Sequence, residues 1–210
     1  MARWLTPVLA VLFLAVPAAQ AKAPSDLKIC GASGCVAIAQ NDAEQLPLWH
    51  TTGAAVPGPP APFYVFRWRW RKTDPEETAF WIPSRQLARF VNPNLVSWHQ
   101  VDMHAATRFA AGLAPIAVPK VRRVTVGGRA VRSPATYMRV FAIGRVTNVW
   151  PAVSGWLRIR FTASVPSPWT DPTANVRISS TGNYLLRDDT VFTIPPRIAE
   201  RVRRGLALTG

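Results

Sequence analysis

In residues 63–71, Phe-Tyr-Val-Phe-Arg-Trp-Arg-Trp-Arg, Tyr64, Phe66, Trp68 and Trp70 alternate with Arg67, Arg69 and Arg71. An extended chain puts successive side chains on opposite sides, so this order separates an aromatic row from an arginine row, whereas a helix would scatter both. The segment is therefore expected to be a strand with its aromatics in the core. The arginine row is then free to face water or to bind anions as a ladder, and exposed tryptophans would be a stacking platform for sugar rings. Twenty prolines and twelve glycines punctuate the 210 residues, which keeps the other elements short. The expected class is α+β and strand-rich, with short antiparallel strands and a few helices.

The first 21 residues read as a secretory signal peptide. Arg3 supplies a positive start, Leu5 to Val16 is almost wholly apolar, and Ala19-Gln20-Ala21 offers small residues at a cleavage point. An apolar run of about a dozen residues falls short of the roughly 20 that a spanning helix needs, so no transmembrane span is expected in the mature chain. The expected location is outside the cytoplasm, secreted or associated with the cell envelope.

Two units are expected after the leader, 22–118 and 119–210. In the first, Asn41 to Trp49 reads as a short helix, 51–62 as a loop, 79–82 as a strand ending at Pro83, and 84–91 and 97–112 as helices. In the second, Val121 to Val126, Gly127-Gly128 and Arg129 to Arg132 form a hairpin with a tight glycine turn. Runs at 137–143, 156–161, 175–179 and 184–187 read as further strands, and Pro196 to Leu206 as a terminal helix. A glycine-turn hairpin opens each half, and Phe80-Trp81-Ile82-Pro83-Ser84-Arg85 shares F-x-I-P-x-R with Phe192-Thr193-Ile194-Pro195-Pro196-Arg197. Arg89 and Arg201 also fall in step. Each motif is expected to be a strand running into a helix, as in two α+β units derived by duplication.

The two cysteines frame a glycine turn, Cys30-Gly31-Ala32-Ser33-Gly34-Cys35, between segments that read as paired strands. In an exported chain this spacing points to a hairpin disulfide, Cys30 to Cys35. Ser33-Gly34-Cys35-Val36 also resembles the S-x-G-C-hydrophobic signature of L,D-transpeptidases, wall cross-linking enzymes whose cysteine is the nucleophile. That resemblance would make Cys35 an acyl-transfer nucleophile. It covers four residues, no histidine precedes Cys35 to activate it, and Ala37 stands where the family has arginine.

Charge is concentrated in the second half. From Lys120 onward fifteen basic residues face only Asp171, Asp188, Asp189 and Glu200, a balance of about +11, while residues 22–119 are nearly neutral. Arginine outnumbers lysine 21 to 4, and its planar fork matches phosphate and carboxylate groups. For an exported chain the expected partner is an anionic envelope component, a wall polymer or acidic lipid headgroups, with no nucleic acid. The candidate anion-binding residues are Arg122, Arg123, Arg129, Arg132, Arg158 and Arg160, with Arg67, Arg69 and Arg71 of the alternating strand.

Little points to catalysis, a metal or a cofactor. His99 and His104, five positions apart, would lie about 140 degrees apart on a helix, so with Asp102 they do not share a face, and His50 is remote in sequence. No nucleophile elbow, phosphate loop or dinucleotide fingerprint occurs. The expected function is non-catalytic association with an anionic envelope component. The alternatives are an envelope-modifying enzyme and a structural or assembly protein with a protein partner, the latter to be betrayed by exposed tryptophans among Trp49, Trp81, Trp150, Trp156 and Trp169.

Overall fold

The computed structural model describes residues 24–43, 46, 51–92, 95–101 and 107–208. The leader, His50, Asp102 and His104 lie outside these residues, as does most of the helix expected over 41–49, of which Gln40–Ala43 is described. The protein is α+β, with short antiparallel strands and few short helices. Among the described residues fourteen strands form two seven-stranded sheets.

The first sheet is built from β1 (Ser25–Gly31), β2 (Gly34–Ala37), β3 (Thr51–Ala54), β4 (Tyr64–Arg69), β5 (Glu77–Ile82), β6 (Leu87–Asn92) and β7 (Leu95–Val101). The second is built from β8 (Val121–Val126), β9 (Arg129–Ala130), β10 (Arg145–Val146), β11 (Trp156–Ala163), β12 (Val176–Ser179), β13 (Tyr184–Arg187) and β14 (Thr190–Thr193). The order across the first is β2-β1-β4-β5-β6-β7-β3, and across the second, read from the matching edge, β9-β8-β11-β12-β13-β14-β10. Strand for strand the chain traces one path twice. Each sheet opens with a hairpin, sends its third strand to the far edge, and returns to lay four consecutive strands between.

Finer details repeat as well. The first strand of each sheet carries a bulge where it meets the fourth, between Ser25 and Lys28 opposite β4 and between Val121 and Arg123 opposite β11. Just past the bulge, Ile29 pairs with Phe66 in one sheet and Val124 with Phe161 in the other. A helical segment follows each hairpin, Gln40–Ala43 in the first unit and the 3-10 helix Pro134–Phe141 in the second. A turn at 107–112 follows β7, and the helix Pro196–Arg203 follows β14. The F-x-I-P-x-R motif does not belong to this repeat. Phe80 lies on β5, whose counterpart is β12, whereas Phe192 lies on β14. The first motif runs into a single 3-10 turn, Pro83–Arg85, before β6, and only the second runs into a helix.

Each sheet has one face covered by its own helical segments. In the first, Leu27, Ile29, Tyr64, Phe66, Trp68, Ala79, Trp81 and Ala88 pack with Ile38, Ala43, Leu46 and Ala110. In the second, Val124, Ile159, Val176, Ile178, Leu185 and Phe192 pack with Tyr137, Val140, Phe141, Ala199 and Val202. Burying a large apolar side chain contributes roughly 1.5–3 kcal/mol, so these faces dominate the stability of each unit. The opposite face of the first sheet is apolar too: Phe63, Val65, Phe80, Ile82, Leu87 and Trp98 join the core that extends into the second unit. On β4 that face is buried at Val65 and turns to water at Arg67, while Tyr64, Phe66 and Trp68 are core as expected and Trp70, at 38 %, is exposed.

Three further expectations change. Of the helices expected over 84–91 and 97–112, residues 87–91 and 97–101 belong instead to strands β6 and β7, because both faces of this part of the sheet are covered and the two-residue alternation is hidden. Residues 137–141 belong to a 3-10 helix rather than a strand, with Tyr137, Val140 and Phe141 facing the core three to four positions apart. The loop expected over 51–62 begins as strand β3, paired with β7. The hairpin disulfide is present, Cys30 bonded to Cys35 with a Cα separation of 3.9 Å.

Candidate functional site

The second sheet meets the first through loops. Trp169, in the β11–β12 connection, is buried with edge contacts to Phe63 and a tilted contact to Trp98, and its indole donates to Gly58 O at 3.0 Å. Beside it Arg89 of β6 is 0 % exposed. Its ion-pair partners are Asp171 and Asp188, each at 3.7 Å, and Nη2 donates to Thr173 Oγ1 at 3.0 Å. Burial pulls the Arg89 pKa below its ordinary value, against the opposing pull of Asp188 and Asp171. Asp188 also accepts from Trp98 Nε1 at 2.7 Å and from the Asn175 backbone at 2.9 Å. This cluster joins the two units, and charge counting alone did not single it out.

The corresponding face of the second sheet has a different chemistry. Alternation along β11 places Trp156, Arg158, Arg160 and Thr162 on the side opposite the core residue Ile159. The register sets Arg158 directly against Arg177 of β12, Arg160 against Thr125 and Thr162 against Arg123 of β8. Arg123, Arg158, Arg160 and Arg177 therefore share one face. Arg123, Arg158 and Arg160 are exposed, and none of the three has an ion-pair partner among the described residues. Arg177 is half-buried, with Nε donating to Asn175 Oδ1 at 2.8 Å. A half-open recess of about 370 Å³ lies along the row, lined by Arg158, Arg160, Thr162, Thr170, Asp171 and Pro172 among others.

The remaining candidates do not join this row. Arg122 is exposed within the β8 bulge, Arg129 pairs with Val126 and so takes the core-side register at the hairpin end, and Arg132 follows it. Arg67 lies beside Lys28, and the two share the carboxylate of Glu76 at 3.5 and 3.2 Å. Arg69 donates to Lys72 O at 3.2 Å, and Arg71 stands in the turn beyond. Arg177, by contrast, was missed; its signal is the alternation of Val176, Arg177 and Ile178, which becomes informative only once β12 is placed against β11.

The strip from β10 to β11 completes the surface. Residues 147–155 carry the chain back across β14, β13 and β12, as residues 55–63 do in the first unit. In that earlier strap Ala55 and Ala61 pack in the core between the units, and Gly58 lies under Trp169. In the later strap Val149 is 72 % and Trp150 65 % exposed. The Trp150 ring stands 6.4 Å from that of Trp156, at the start of the arginine row.

His99 is a strand residue, its ring edge-on to Phe90 at 5.4 Å and its Nε2 2.9 Å from Ser97 Oγ. The chain matches no protein-family model, no curated protein sequence and no solved structure.

Proposed function

We propose that this is an exported, non-catalytic protein that holds an anionic component of the cell envelope against the arginine face of its second sheet. The observation carrying the proposal is the pairing of Arg158 with Arg177, flanked by Arg160 and Arg123. Like charges directly opposite on a sheet are destabilising, and an anion lying across them removes that cost. Guanidinium groups can meet phosphate or carboxylate oxygens in pairs. The carboxylate lining the recess, Asp171, is engaged by Arg89 and by the Thr173 backbone and hydroxyl, which makes it a structural ion-pair partner. That engagement favours binding over general-base chemistry.

The test is retention of the protein on polyphosphate, on a polyuronate and on acidic vesicles at low and high salt. Each cation near an acidic surface contributes about 1 kcal/mol, roughly fivefold in affinity. The triple variant R123Q/R158Q/R160Q is expected to bind on the order of a hundredfold more weakly, while R129Q/R132Q stays closer to the parent. Equal losses in the two variants, or no binding by the parent at low salt, would overturn the assignment.

A further inference from the structure

Of the anionic components this face could hold, we infer that it docks on an acidic lipid bilayer, with Val149 and Trp150 entering the headgroup layer; this rests on the function proposed above. The repeated topology identifies the surface. In the first unit the strap after the third strand and the adjoining sheet face are covered by Trp169, Asp171 and Asp188 of the second unit. In the second unit the equivalent strap and face are exposed at Val149, Trp150, Arg158 and Arg160. The same architecture thus presents a docking face twice, once occupied from within the chain and once open along β11 and the tip of the strap, with Leu186 and Val191 on the far strands of that face buried.

The chemistry of the open face selects the occupant. A linear polyanion needs only the arginines and gains nothing from an exposed valine. A bilayer surface uses both, because phosphates meet guanidinium groups while an apolar tip reaches the boundary of the acyl chains. Tryptophan suits that depth, being apolar in body and polar at its N–H. Val149 and Trp150 are adjacent in sequence, and the contact between Trp150 and Trp156 puts the tip at one end of the row running through Arg158 and Arg160. Large exposed apolar side chains grouped with unpaired cations mark an interaction surface.

The test is flotation with vesicles of phosphatidylcholine, with and without phosphatidylglycerol, alongside retention on inorganic polyphosphate. The parent is expected to bind only the acidic vesicles, and salt should remove most of this binding but leave a residue, because apolar burial is not screened. V149S/W150S is expected to lose the salt-resistant part and bind acidic vesicles roughly tenfold more weakly, with polyphosphate binding unchanged. Brominated acyl chains should quench parent fluorescence more than that of W150F. Two outcomes overturn the membrane inference and leave the proposed function standing: vesicle binding by V149S/W150S equal to the parent, or parent binding to polyphosphate without binding to acidic vesicles. Parent binding to neither ligand overturns both. Substituting two exposed residues leaves the core untouched, so a folded variant is expected.

Discussion

Trp98 on β7 donates its indole N–H to Asp188 on the β13–β14 turn at 2.7 Å, and the carboxylate that accepts it lies 3.7 Å from the buried Arg89. One side chain of the second unit thus fixes an aromatic and a cation of the first. Removing one of its two carboxylates leaves Arg89 with Asp171 alone, so the cost falls short of the roughly 3–5 kcal/mol of a wholly unpaired buried charge. Asp188→Asn is expected to lose about 2 kcal/mol in urea unfolding, even though the amide can still accept from Trp98. Adding Arg89→Met to that variant should recover part of the loss by removing the under-compensated charge, since Asp171 keeps its bonds from the Thr173 backbone and hydroxyl. A double variant less stable than D188N would contradict this account.

Tyr137 ties the 3-10 helix to the C-terminal segment through its hydroxyl, which donates to Leu206 O at 3.1 Å. Burial pushes its pKa up to about 12, opposed by the positive charge of Arg201. In the unfolded chain the phenol ionises near its ordinary value of about 10. The unfolded state therefore releases its proton first, and stability falls as pH rises between about 10 and 12. Below about 10 both states keep the proton and the contribution is complete. The expected loss across that window is on the order of 1–2 kcal/mol, and Tyr137→Phe should flatten that part of the profile in denaturant midpoints.

Arg158 faces Arg177 across two central strands. Arg158→Thr should relieve the repulsion and raise stability by about 0.5 kcal/mol, while weakening retention on polyphosphate and acidic vesicles roughly fivefold. Thermal unfolding and a binding isotherm on the same variant check the two halves of this expectation. A loss of stability would show that Arg158 makes a favourable contact in the free protein.

Where local chemistry decides the structure, the residues announce it. Gly34, in the turn between Cys30 and Cys35, and the Gly127-Gly128 pair, all with positive φ, mark hairpins that stand where the pattern puts them. The alternation of 64–69 and 156–161 and the proline-led start of the last helix are equally direct. β6 and β7 were hidden because the first sheet is buried on both sides. Leu87, Arg89 and Trp98 face the second unit, while Ala88 and Phe90 pack on the other side, so no polar stripe marks a strand. The candidate site was half legible for a related reason. Charge identified the second half, but only register separates Arg158 and Arg160 from Arg129 and adds Arg177. Nothing near Arg89 in the sequence marks its burial, because its carboxylate partners are supplied from 82 and 99 positions further along the chain.

The bulge shared by β1 and β8 bears on how such a chain can change over time. A bulge at one corresponding point in both opening strands sets where each sheet twists, and it occurs in both although Asp26 at one bulge and Arg122 at the other have little in common. The backbone geometry is common to the two units where the side chains differ. One copy of the scaffold carries a hydrophobic joint and the other an arginine display, so surface substitutions on β11 and β12 can retune what is held outside without loosening the seam between the copies.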